Sequence, residues 1–315
     1  MMPYAPLLLI ALLSACAAPQ EEATLSRYPD AYRSATVLTF ETEVVRGDEL
    51  EDITSALRRR GINATFFVVA GYFESTPEVL EPLRGFEVAS MAWSQPEWVN
   101  ATLSERRRQM LRAHAWFLEH GFNVTGFRAP YLKASRRTLE LVAELGYTYD
   151  SSLSYGFEPY PVNGILELPV STNFDPFWDE EKMKITLPVA YLTFQRAYDT
   201  GGVFILLTHV HTSHRYLENL TAFLDYMMER RVWFPSAREL ADWWLLRENL
   251  RLSTAGDTLI LENLNARPVK GATAILRAKS AEGAVETWRD PVSGELYVVF
   301  PEVPPGGTVS IKVER

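Results

Sequence analysis

Apolar and polar positions along residues 34–245 alternate in a way that predicts short buried strands between amphipathic helices. Thr36 to Phe40, Ala64 to Val69 and Val203 to Thr208 are short apolar runs bounded by polar residues. The last is apolar at successive positions, as expected of a strand covered on both faces. Gly47 to Arg60 reads as a helix, with a basic last turn before Gly61 at its C-cap. Thr102 to His120 is a second helix, with Leu103, Met110, Leu111, Ala115 and Leu118 as its apolar face and Gly121 as its stop. Ser135 to Leu145 is a helix ended by Gly146, and Leu217 to Arg230 another. Val232-Trp233-Phe234 is a strand, and Ala237 to Arg247 the closing helix. Elements in this order predict a parallel α/β architecture over residues 34–247.

Helical periodicity stops near Leu250. Asp257–Glu262, Ala272–Ala278, Ala284–Trp288, Leu296–Phe300 and Thr308–Val313 read as short strands between turn signals such as Ser293-Gly294 and Pro304-Pro305-Gly306-Gly307. Their spacing predicts a small β-sandwich over residues 250–315. It either binds glycan or caps the first domain; no cluster of aromatics stands out in it, which favours the cap.

The chain has 315 residues, 47% of them hydrophobic, enough for one large α/β domain plus a small module. A net charge of -9 argues against a nucleic-acid partner, because no basic excess exists to neutralise phosphates. Leu7 to Leu13 is an apolar run too short to span a bilayer. It leads into Leu13-Ser14-Ala15-Cys16, which has the form of a lipoprotein signal, although no Lys or Arg precedes the run. The expectation is a signal peptide over residues 1–16, lipidation of Cys16 and a polar tether over 17–33, placing the protein outside the cell on its membrane. The competing reading is an incidental cysteine beside an ordinary cleavage site. As the lone cysteine, Cys16 excludes an internal disulfide. Asn63, Asn100, Asn123 and Asn219 head glycosylation sequons, of which Asn100, before a helix start, is the best acceptor candidate.

Several blocks in order carry a resemblance: Thr39-Phe40-Glu41-Thr42-Glu43, Ala64-Thr65-Phe66-Phe67-Val68, Gly85 to Pro96, Phe127-Arg128-Ala129-Pro130-Tyr131, Tyr149-Asp150-Ser151-Ser152, Glu167-Leu168-Pro169-Val170 and Leu207-Thr208-His209. Together they resemble the polysaccharide deacetylases, the NodB-type carbohydrate esterases. The resemblance implies a distorted (β/α)7 barrel, a bound divalent metal and an N-acetylated glycan of the cell envelope as partner. It also implies residue roles: Glu41 at the catalytic base, Glu43 at the metal-ligand carboxylate, Arg128 orienting the base through a bidentate pair, His209 as the acid, and Pro130 and Tyr131 lining the pocket.

The block from Gly85 to Pro96 departs from the family pattern. Met91 and Gln95 stand where the family's two metal-binding histidines belong. Thioether and neutral amide are poor ligands for Zn²⁺. Glu41 replaces an aspartate and reaches one methylene further, and Leu132 follows Tyr131 where glycine is usual. If the first block aligns with its Asp-Asp form, Thr42 takes the ligand position; the plain alternative for Glu41 and Glu43 is a solvated strand end. His209 and His211, at strand spacing, would put two imidazoles on one face, so that Glu41, Glu43, His209 and His211 form a relocated metal site. Trp93, Trp98, Tyr131, Phe177 and Trp178 offer an aromatic groove for sugar rings, with ordinary packing as the alternative. The expectation is thus a deacetylase-like envelope protein that binds glycan without hydrolysing it; the alternative is an active deacetylase or related hydrolase with a non-standard metal site.

Overall fold

The computed structural model describes residues 23–43, 45–153, 155–175 and 180–315, the side chain of Glu180 excepted. Cys16, Phe177 and Trp178 lie outside the described residues. The chain opens with β1 (Thr24–Leu25) and then β2 (Ser34–Thr42), α1 (Gly47–Arg60), β3 (Thr65–Val68), β4 (Glu87–Ser90), α2 (Gln95–Trp98) and α3 (Leu103–Glu119). It continues through β5 (Gly126–Phe127), α4 (Arg136–Glu144), β6 (Tyr149–Asp150), β7 (Tyr160–Val162), β8 (Ile165–Glu167), β9 (Thr172–Asn173) and α5 (Glu180–Asp199). Then come β10 (Val203–His209), α6 (Val210–Arg215), α7 (Leu217–Met228), β11 (Val232–Trp233) and α8 (Ala237–Glu248).

Strands β8, β6, β5, β4, β3, β2, β10 and β9 are neighbours in that order, and every pair is parallel. Their C-terminal ends therefore gather at one mouth, where open α/β sheets and barrels place their sites. β7 adds an antiparallel edge and β11 pairs with the start of β2. This is the expected α/β distorted barrel. The ladder runs beyond the seven strands that the resemblance implies: β7 and β9 are two- or three-residue pairings that carry no sequence periodicity, and β11, expected as a strand, adds a short pairing at the start of β2.

Alternation along β2 sorts its side chains between two cores. Leu38 and Phe40 pack outward with Leu50, Ile53 and Leu57 of α1. Ala35 and Val37 point inward, with Phe67, Ala89, Met91, Ile205 and the α8 residues Leu240 and Trp244. Helix α8 thereby plugs the closed end of the barrel.

Helix α3 forms almost as expected. Thr102 caps it, accepting from Glu105 N while the Glu105 carboxylate returns the contact, and Gly121 follows at φ 75°. Its buried face is Met110, Ala113, Trp116 and Phe117. Leu103, Leu111 and Leu118 are 43–54% exposed. Both stripes have helical spacing, and the packing of the two large rings selects the phase.

Beyond α8 come β12 (Leu250–Ala255), β13 (Thr258–Asn263), β14 (Thr273–Leu276), β15 (Ser280–Glu282), β16 (Glu286–Arg289), β17 (Leu296–Val299) and β18 (Thr308–Glu314). They form two four-stranded sheets, one of which takes β1 at its edge beside β14. Residues 24–33 are thus not a tether. Tyr28 and Ala31 are buried, the indole Nε1 of Trp243 donates to Arg27 O at 2.8 Å, and Arg247 Nε donates to Ser26 O at 2.7 Å. The segment has too few apolar residues to signal a strand alone; the open edge of β14 supplies its hydrogen-bond partners.

Candidate functional site

Glu41 lies one residue before the end of β2 and stands opposite His209, which ends β10. The side chain of His209 bridges several carboxylates. Its Nε2 lies 3.4 Å from Glu41 Oε2 and 3.4 Å from Glu43 Oε1, and its Nδ1 lies 2.5 Å from Asp175 Oδ2. Thr212 Oγ1 donates to the other Asp175 oxygen at 3.0 Å, fixing that carboxylate behind the imidazole. Burial by itself would lower the His209 pKa. The hydrogen bonds to Asp175 and Glu43 and the charge of Glu41 outweigh it and push the imidazole up to about 10. His209 is therefore an imidazolium at neutral pH.

Burial pushes the Glu41 carboxyl up, with Arg128 and His209 opposing. Burial acts the same way on Glu43, but His209 and Gln95 win there and hold it below its ordinary value. The Glu43 carboxylate also accepts from Gln95 Nε2 at 2.5 Å.

Arg128 is fully buried just past β5. Its Nη1 is 3.6 Å from Glu41 Oε1, a single loose contact rather than the bidentate pair that the resemblance implies. The guanidinium is held instead by Ser151 O at 2.8 Å, Ser151 Oγ at 2.8 Å and Thr39 Oγ1 at 2.9 Å, above the Phe67 ring. Next to it, Asp150 and Glu167 face each other across β6 and β8, both buried. Burial and the Asp150 charge push Glu167 up to about 10, so the pair carries at least one proton at neutral pH.

Pro130 is buried and Tyr131 is 52% exposed at the mouth. Tyr131 and Leu132 sit at φ 56° and 55°, the left-handed region that the family's glycine tolerates and leucine does not. Tyr72 joins this rim; burial, Glu43 and Tyr131 raise its phenol pKa. Trp93 lines a recess beside it. Trp98 does not belong to a groove: it is fully buried, packed at a tilt against Phe127, with its indole donating to Lys133 O at 3.1 Å.

Met91, no ligand by its chemistry, is fully buried in the apolar interior with Phe67 and Val69. One expectation about metal ligands changes. His211 is not on a strand with His209, because helix α6 begins at Val210. The ligand atoms of Glu41, Glu43 and His209 do lie within 4.8 Å of one another, without His211. The donor set nonetheless does not fit the family's metal: one histidine position is a core methionine and the other an amide that donates to Glu43.

Sequence reasoning missed Asp175, on a loop, and Tyr72, on a single 3-10 turn (Ala70–Phe73), neither of which carries a periodic signal. Asp150, Ser151 and Glu167 stood in recognised blocks, but nothing in their spacing showed that they bury together.

Residues 29–149 match the polysaccharide deacetylase family. The match covers that stretch, and the barrel has the NodB-type fold. No curated protein matches the chain in sequence. Among solved structures it is similar to a Mycobacterium smegmatis protein described as a polysaccharide deacetylase, at 21% identity and TM-score 0.62, covering 70% of this chain and 93% of that one. It is also similar to Puue allantoinase, at 18% identity and TM-score 0.60, covering 69% and 92%. A third is the chitin deacetylase of the fungal pathogen Colletotrichum lindemuthianum, at 18% identity and TM-score 0.51, covering 67% and 89%. At these identities the likeness concerns the fold.

Proposed function

We propose that this protein binds an N-acetylated glycan of the cell envelope at the barrel mouth and does not hydrolyse it by the family's metal chemistry. The observation that carries this reading is the bond from Gln95 to Glu43, which ties together two positions that the family uses for metal. The mouth is still built to hold a polar ligand. Glu41 and Glu43 accept from hydroxyl or amide groups, the His209 imidazolium donates to an acetyl oxygen, and Tyr131 and Tyr72 offer ring surface to a sugar. Tyr131 and Pro130 keep the positions that line the pocket in the family.

The test is binding of chitooligosaccharide with and without EDTA, together with acetate release and metal content of the purified protein. The expected result is EDTA-insensitive binding without acetate. Stoichiometric Zn²⁺ and acetate release that vanish in Glu41→Ala would overturn the reading. That outcome is the second reading, an active deacetylase-like hydrolase, and the compact set of Glu41, Glu43 and His209 is what favours it. Anchoring through a lipid on Cys16 belongs to the same proposal; metabolic lipid labelling that persists in Cys16→Ala would refute it.

A further inference from the structure

Helix α5 is apolar on two opposite faces, and the barrel covers one of them. Met183, Ala190, Phe194 and Ala197 are buried in the outer core, with Leu187, Tyr191 and Tyr198 packed against it. On the other face Ile185 is 68% exposed, Val189 44% and Leu192 71%, and Pro188 is exposed among them. A single exposed leucine is ordinary on a protein surface; four adjoining apolar positions on one helix face are not. A helix that is apolar all round is normally buried all round.

The stripe has charged ends. At about 100° of rotation per residue, Glu181, Ile185, Pro188, Leu192 and Arg196 fall within an arc of about 80°. Glu181 and Arg196 are exposed, so the face reads acidic, apolar, apolar, apolar, basic along the helix. That order is self-complementary. A second copy of the helix, reversed about a twofold axis at Pro188 and Val189, sets Ile185 against Leu192 and Glu181 against Arg196, each contact occurring twice. A parallel pairing would instead set Glu181 on Glu181 and Arg196 on Arg196. The apolar centre supplies affinity and the charged ends fix the register. Glu181 already meets Lys184 at 2.6 Å, but that pair is exposed and weak, and a carboxylate has acceptor room for a second cation.

The surface beside the stripe has space for the copy. A cavity of about 530 Å³ opens between Leu192, Thr193 and Arg196 and the Tyr155-Gly156-Phe157 loop, where Tyr155 is 85% exposed. It flanks the half of the stripe that the second copy's Ile185 and Glu181 reach. The Arg196 guanidinium lies over the Phe157 ring at 5.6 Å, at the cavity wall where that carboxylate arrives. A bilayer fits this face less well. Glu181 and Asp199 stand among Lys182, Lys184 and Arg196, so an anionic membrane gains little attraction.

We propose that the exposed face of α5 is a homodimer interface, in which two copies of the helix pack antiparallel about an axis at Pro188 and Val189. The proposal goes beyond the glycan reading and does not rest on it.

Sedimentation velocity of the full chain from about 1 to 100 μM tests it. The parent for the test is Cys16→Ala, so that no lipid drives association. A dimer is expected at the upper concentrations. Leu192→Glu should be monomeric throughout with an unchanged circular dichroism spectrum, since the position is exposed. Glu181→Arg and Arg196→Glu should each weaken association about tenfold or more. An equimolar mixture of those two variants should recover it, because each offers the charges that the other lacks. A parent that stays monomeric, a dimer that survives Leu192→Glu, or a mixture no stronger than its components would overturn the proposal. So would a monomer that sediments with phosphatidylglycerol vesicles and loses that binding in Leu192→Glu, since the stripe would then face a membrane.

Discussion

Glu87, half-buried, and Glu41, buried, lie at opposite ends of the same barrel, and they are satisfied in different ways. Glu87, at the closed end, accepts from Thr65 Oγ1 at 2.7 Å, Tyr149 OH at 2.7 Å and Arg238 N at 2.9 Å. Its carboxylate fastens the first turn of α8 under the sheet, and Ala237 N bonds the same Thr65 hydroxyl at 2.8 Å. Glu41, at the mouth, has cationic neighbours only at 3.4–3.6 Å. Burial raises both pKa values. The difference is that one carboxyl is saturated by short hydrogen bonds and the other retains acceptor capacity. Saturation holds a fold together; spare capacity beside an imidazolium and a buried guanidinium is what a ligand can use.

Four variants break or sharpen that contrast. Glu87→Ala should have the largest effect, because it strands Thr65, Tyr149 and the α8 terminus without their acceptor. A loss of about 3 kcal/mol in urea unfolding is expected. An unchanged midpoint would show that the closed end is not secured this way.

The next effect is on pH dependence. The folded pKa of Glu167 lies above its unfolded value, so the folded state binds the extra proton between about pH 4.5 and 10. Stability is therefore lost as pH rises through that window. His209 contributes with the same sign between about pH 6.5 and 10. Glu167→Gln should flatten the fall of stability between pH 6 and 9, roughly the middle of that window. A slope equal to that of the parent would place the shared proton elsewhere.

Leu132→Gly should raise stability by about 1 kcal/mol, because it relieves a left-handed leucine at φ 55°. A thermal melt measures this, and a lowered Tm would show that the leucine side chain matters more than its backbone. The smallest effect on stability should come from Glu41→Gln, within about 1 kcal/mol, since the wild-type carboxyl is desolvated and only loosely paired. The same variant should weaken glycan binding. A large stability loss without a change in binding would reverse the roles assigned to the two glutamates.

Much of the fold was legible in the sequence. The periods of β2, β3 and β10 and the caps of α1, α3 and α4 arise from neighbours along the chain. Short elements were not legible. β9 and β1 exist because another strand offers an edge, and α3 turned a different stripe inward from the one its leucines suggested. The site divides in the same way. Glu41, Arg128, Tyr131 and His209 stood at strand ends in recognisable blocks, and the replacement of the histidine pair by Met91 and Gln95 could be read directly.

The sequence by itself determined a parallel α/β barrel followed by strands, the acidic and histidine side chains at its mouth, and the loss of two imidazole ligands. Residue identity and local periodicity are enough for those statements, since both are properties of neighbouring positions. Only the tertiary structure decided what the replacements do. Met91 joins the apolar interior, Gln95 bonds Glu43, and Asp175 comes from a distant loop to hold His209 protonated. Hydrogen bonds and pKa values depend on distances of a few ångströms between groups far apart in the chain. Folding sets those distances, and no local pattern encodes them.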